Sequence, residues 1–263
     1  PPKNWDDFNK DVRQLTKLDQ IGNIIQSGAA IGSARNINRS TDILMALMIQ
    51  SGVQMTDPDN TSATFAHSVD NQQVGEVALR YYTDFTNPAK ETYTWNDNQH
   101  YSVDAFSEGA TAMTFNYSHQ LDIIRGKASR LNFTVAPMPQ LSSTDAQTFA
   151  NYWAPAVTIN SAHPAEAWEF IEYLASKENA QRYLAQTHRP AARRDLIEAQ
   201  RSDPDLGVFA VQALTAQSWY QTDNTAIETI FANMIDDVNF GRAAPREAIQ
   251  NAETRVDVLM RRR

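Results

Sequence analysis

The chain has 263 residues, no cysteine and a formal net charge of −8, with 42% hydrophobic and 10% aromatic residues. That length exceeds the roughly 100–200 residues of an ordinary domain, so two lobes and a sizeable core are expected. The acidic balance disfavours nucleic acid and anionic membrane surfaces as partners, and the absence of cysteine excludes disulfides, thiol catalysis and cysteine–zinc sites. No run approaches the roughly 18 apolar residues of a membrane-spanning helix. The opening "PPKNWDDF" has no signal-peptide character and no initiator methionine, and reads as a start inside a longer protein.

In chain order, "NWDDFNKDVRQL" is a predicted helix with Asn4 as N-cap and acids in its first turn. The small residues of "SGAAIGSARN" suit a short buried strand running into a loop. From Thr41, "TDILMALMIQSG" is a helix apolar nearly all round, and is therefore expected to be deeply buried, closing at Gly52. Val74, Val77, Ala78, Tyr81, Tyr82 and Phe85 then recur at helical spacing before Pro88. "YTWNDNQHYS" is irregular, and "DAFSEGATAMTFNYS" turns back into a strand, Thr111 to Phe115, with a polar and aromatic tip before the next helix. "LNFTVAPMP" alternates as a further strand. Residues 140–151 are polar and aperiodic, as a linker between lobes would be.

"YWAPAVTI" is predicted as a strand, Pro164 opens a helix with Trp168, Ile171 and Leu174 on one face, and "KENAQRYLAQT" follows as a second helix. Two further helices lead to the stripe Ile227, Ile230, Phe231, Met234, Ile235 and Val238, and a final helix starts at Pro245. The pattern is α/β with more helix than sheet.

Motifs for catalysis are missing. No Gly-x-Ser-x-Gly elbow or phosphate loop occurs. His67, His100, His119, His163 and His188 lack metal-binding spacing. "DPDN" resembles the beginning of a calcium loop, but Ser62 and Ser68 stand where glycine and glutamate are required, so a solvated turn is expected. The acid pairs Asp6-Asp7 and Asp236-Asp237 point different ways on a helix and make no acid–base couple. No cofactor and no metal is expected.

What recurs is an aromatic beside amides and hydroxyls: Asn116-Tyr117-Ser118-His119, Asn151-Tyr152-Trp153, and Trp219-Tyr220 through Asp223. A sugar offers an apolar C–H face and a rim of hydroxyls, which such groups meet, although taken alone each cluster is more often ordinary packing.

The order "DILMALMIQSG", "YYTDFTNP", "AFSEGATAMTFNYS", "LNFTVAPMPQ", "YWAPAVTINSAHPAEAWEFIEYLASKENAQRYL", "THRPAARRDL" resembles the later two-thirds of extracellular solute-binding proteins. The nearest group is the carbohydrate-binding component of ABC importers, similar to maltose-binding protein. The resemblance implies a type II periplasmic-binding-protein fold of two lobes, here a C-terminal fragment lacking most of the N-terminal lobe. It implies residues 1–145 as the first part of the C-terminal lobe, 146–197 as a segment of the N-terminal lobe, and 198–263 as a helical return. It also implies a non-catalytic, extracytoplasmic protein that closes on a saccharide and delivers it to permease subunits, with lipid anchoring upstream as an option. Oligomer contacts or the absent half-lobe would have to cover the middle segment.

By the same resemblance the ligand contacts are Asn36, Asn38 and Arg39 before the buried helix, Asn116, Tyr117, Ser118 and His119 at the tip, Trp153 at the crossing strand, and Trp219, Tyr220 and Asp223 late in the chain. Three other readings remain: a binder of another solute such as a peptide, polyamine or anion, a glycoside-active enzyme with two carboxylates about 5–10 Å apart, and a scaffold without a small ligand.

Overall fold

A computed structural model describes residues 1–261. Helix α1, Trp5–Leu15, starts where Asn4 accepts the Asp7 amide at 2.8 Å, and it turns Trp5, Phe8 and Val12 inward. These rings meet Tyr81, Phe85 and Phe115 mostly edge-on at centroid separations of 5.2–5.8 Å, a geometry that adds quadrupole attraction to burial. Strands β1, Lys17–Leu18, and β2, Ile24–Gln26, form an antiparallel hairpin. The chain then runs extended and fully buried through Ala29, Ala30 and Ile31.

Helix α2, Ser40–Gln50, is the centre of the main core, buried on every side from Ile43 to Ile49. Helices α3, Val74–Asp84, and α10, Asn224–Asn239, pack against it, and α11, Pro245–Met260, packs against those two. Gly75 lets α3 approach closely, because a Cβ there would collide with the Phe65 carbonyl oxygen and Ile249 Cδ1. Two acids of α11 hold the facing loop: Glu253 accepts the Ala66 amide at 2.6 Å and Asp257 the Ala63 amide at 2.7 Å. The main core thus joins residues from the first half of the chain to residues from its end.

The segment predicted as a strand after Gly109 does run extended. The Ser27 amide donates to Ala110, and the Ala30 amide to Met113, both at 2.9 Å, giving parallel bridges Ser27–Thr111 and Ala30–Thr114. Before it, however, Ser102–Ser107 is a short helix, α4, where an irregular stretch and then strand was expected. Its Ser102, Val103 and Ala105 are buried, a three-residue signal too brief to show helical period in sequence. Helix α5, Gln120–Lys127, follows the polar tip as expected.

Two other predicted strands do not form. Residues 131–139 and 151–159 are irregular, because among the described residues neither segment has a strand beside it to complete a ladder. The only regular pairing nearby is β3, Thr148–Phe149, parallel to β4, Ala216–Gln217. Helices α6, Pro164–Ala175, and α7, Lys177–Thr187, form where predicted but bury no side chain, and Trp168, Phe170 and Tyr173 stay 52%, 59% and 60% exposed. Helices α8, Arg194–Gln200, and α9, Gly207–Gln212, share a small second core of Ala191, Leu196, Ile197 and Ala210.

Candidate functional site

An open cleft of about 2010 Å³ lies between the start of α2 and the 112–119 tip on one side and the segments 148–155 and 189–197 on the other. Arg39 sets the entry to α2 in the left-handed region, φ 60°, a conformation that costs a non-glycine residue on the order of 1 kcal/mol. Its guanidinium lies 5.9 Å from the centre of the Tyr117 ring. Tyr117 in turn stacks on His119, with centroids 6.1 Å apart and planes at 20°.

The Tyr117 hydroxyl donates to Asp42 Oδ2 at 2.7 Å. Burial pushes the Asp42 carboxyl above its usual range, while the Tyr117 hydroxyl, Arg39 and the Asn151 amide partly offset this. Burial and the adjacent Asp42 also raise the Tyr117 phenol, which stays protonated as the donor. Burial, then Arg189 and Arg39, lower the proton affinity of His119. Arg39, Arg189 and His119 all line the cleft.

The arrangement is an aromatic platform edged by a carboxylate, amides and cations. Asn116 belongs to it, its Oδ1 accepting from Asn38 Nδ2 at 2.7 Å, and Ser118 also lines the cleft. Trp153, on the irregular segment after β3, lines it too and is 98% exposed.

The remaining sequence candidates fall elsewhere. Asn36 is a loop staple: its Nδ2 donates to the Asn96 and Gln99 carbonyls at 2.9 and 3.0 Å, and its Oδ1 accepts the Trp95 indole N–H at 3.0 Å and the Ser33 hydroxyl. Asn38 lies behind the tip, holding Asn116 and accepting from the Tyr101 hydroxyl at 3.1 Å. Trp219 and Tyr220 line a separate pocket of about 430 Å³, and Trp219 also leans on the core through Met45 and Phe231. Asp223 caps α10, accepting the Ala226 amide at 3.0 Å.

Sequence reasoning passed over Asp42, and the signal that could have found it is an acid inside the otherwise apolar "TDILMALMIQ". A carboxylate on an all-round buried helix needs a partner or a ligand. The arginines of "HRPAARRDL" were likewise visible only as part of a motif. Among the described residues, no group of three or more His, Asp or Glu side chains is placed to hold a metal ion, and no helix is long and apolar enough to cross a membrane.

Residues 1–207 match the bacterial extracellular solute-binding protein family, and the chain belongs to that family. Solved structures agree on the fold. The chain is 15% identical to a cyclo/maltodextrin-binding protein complexed with maltotetraose, with 98% of this chain and 64% of that one covered at a TM-score of 0.75. It is 19% identical to the cyclic α-maltosyl-1,6-maltose binding protein of Arthrobacter globiformis, covering 100% and 66% at 0.69. It is 15% identical to UgpB of Mycobacterium tuberculosis in complex with glycerophosphocholine, covering 100% and 64% at 0.66. The chain thus spans about two-thirds of the length of these structures. No curated protein sequence matches it.

Proposed function

We propose that this chain is the larger part of a carbohydrate-binding component of an ABC importer, acting outside the cytoplasm and handing an oligosaccharide to permease subunits. The observation that carries the reading is the Tyr117–His119 platform, bordered by Asp42, Asn116 and Arg39, with Trp153 lining the same cleft. Tyr117 and Trp153 would stack on sugar ring faces, while Asp42, Asn116, Ser118 and Arg39 would meet hydroxyls. Asn36 and Asn38 hold the loop that presents Arg39, and Trp219, Tyr220 and Asp223 carry no ligand role in this reading.

Residues 1–145 and 198–263 are assigned to one lobe and 146–197 to the other, with hinged closure driven by the ligand's preference for the closed state. We further propose that the exposed aromatic face of α6 packs against a half-lobe outside these residues. Two facts support this: about one-third of the length of the solved relatives lies outside the stretch matched here, and α6 and α7 bury no side chain. A solute-binding role also accounts for the absence of catalytic motifs, and turnover of a chromogenic glycoside would overturn it.

The direct test is a tryptophan-fluorescence titration against malto-, cello-, manno- and xylo-oligosaccharides and trehalose, on this chain and on a longer polypeptide that includes the proposed half-lobe. Saturable binding, stronger in the longer polypeptide and lost in Trp153→Ala with an unchanged circular dichroism spectrum, is expected. Flat titrations with every saccharide would contradict the carbohydrate reading.

A further inference from the structure

The protein is acidic overall, with a net charge of −8, yet the cleft lining inverts that balance. It carries four arginines, Arg39, Arg189, Arg193 and Arg194, together with His119, against the two aspartates Asp11 and Asp42. Arg193 is engaged, holding both oxygens of Asp195 at 3.0 and 3.1 Å and the Ala175 carbonyl at 2.7 Å. The guanidinium groups of Arg39, Arg189 and Arg194 make no hydrogen bond or ion pair with any described residue.

Two of these free cations line the cleft together with the aromatic pair. Arg39 sits over Tyr117, Tyr117 stacks on His119, and His119 feels both Arg189 and Arg39. Asp42 faces Arg39 from the first turn of α2, but its carboxylate already accepts the Tyr117 hydroxyl, and Glu228 on α10 repels it. Nothing comparable answers Arg189, which projects from the loop between α7 and α8. Unpaired guanidinium groups gathered in one cleft repel each other, and their planar forks match a carboxylate or a phosphate.

We propose that the cleft takes a saccharide bearing an anionic substituent, a carboxylate or a phosphate, seated between Arg39 and Arg189 beside the Tyr117–His119 face. This rests on the carbohydrate reading and adds to it the charge of the ligand. The sugar ring lies on the aromatic platform, and the acid reaches the arginine side of the cleft. Asp42, which already accepts the Tyr117 hydroxyl beside Arg39, can accept neutral hydroxyls of the ring that lies on the platform.

The test is isothermal titration calorimetry on the full chain with four probes: maltotriose, a glucuronate-containing trisaccharide, maltotriose carrying one phosphate, and inorganic phosphate. The acidic saccharides should bind about tenfold or more tightly than maltotriose, as one charge-assisted hydrogen-bond pair would give. The gap should narrow as salt is raised. The two acidic saccharides distinguish carboxylate from phosphate. Arg189→Gln should shrink the gap, whereas Arg182→Gln, whose residue pairs with Glu178 on α7 away from the cleft, should preserve it.

Equal affinity for neutral and acidic saccharides would overturn the proposal and leave the carbohydrate reading standing. Binding of inorganic phosphate without any saccharide would overturn both the proposal and the carbohydrate reading, leaving a bare anion site. Absence of binding by all four probes would overturn both.

Discussion

Helices α2 and α6 make an instructive pair. Both are rich in large apolar residues, yet α2 is enclosed from Ile43 to Ile49 while α6 buries nothing. The difference lies in their surroundings rather than in propensity. Helix α2 has α3, α10 and β3 packed on it, whereas the main packing partner of α6 among the described residues is α7. Amphipathic patterning specifies which face wants cover but cannot supply the cover. The cleft lies where these two regimes meet, with its platform on the packed side and Trp153 on the uncovered side.

The largest expected effect separates the two regions energetically. Phe231→Ala, in the fully buried core, should cost about 3–5 kcal/mol, measured by urea denaturation. Phe170→Ser or Tyr173→Ser on α6 should change stability by less than about 0.5 kcal/mol. Comparable losses at both places would show that α6 is covered in solution.

A smaller effect separates structural from ligand-facing asparagines. Asn36→Ala strands the buried Trp95 indole N–H and two carbonyls, and should cost about 1–3 kcal/mol. An unchanged midpoint would remove the staple role. Asp223→Ala, which deletes the α10 cap, should lose about 1 kcal/mol while leaving saccharide affinity unchanged. A selective loss of binding would instead return Asp223 to the site.

The smallest effect is a pH slope. Burial raises Asp42 above the ordinary carboxylate range, so the folded state holds its proton more tightly than the unfolded chain does. Its contribution to stability is therefore present in full below that range and is lost as pH rises through the folded value. Asp42→Asn should flatten stability against pH in that window. Tyr117→Phe, which removes a bond favouring the charged form, should extend the window upward. A slope identical in wild type and Asp42→Asn would place its origin in other groups.

The helices of the packed lobe were readable because burial repeats along them. Ile227, Ile230, Phe231, Met234 and Ile235 form a stripe in the sequence, and all five are buried in α10. The strand at 151–159 was misread for a related reason: "YWAPAVTI" has strand composition, but a strand exists only with a neighbour to pair with.

The site was legible in part. Tyr117, His119 and Trp153 stood out as aromatics among polar residues, and the structure brings them to one cleft. Trp219 had the same local signature but leans on Met45 and Phe231, contacts that link distant parts of the chain and leave no trace in local pattern. Asp42 was hidden by the opposite circumstance, one polar residue in an apolar run.

Ligand is expected to bridge the packed platform and the uncovered segment. Hydrogen exchange read by mass spectrometry, on the chain with and without saturating oligosaccharide, tests it directly. Protection is expected together at 38–42, 114–119 and 150–155, with the pocket around Trp219 unchanged. Protection confined to the Trp219 pocket, or none at 150–155, would contradict that bridging.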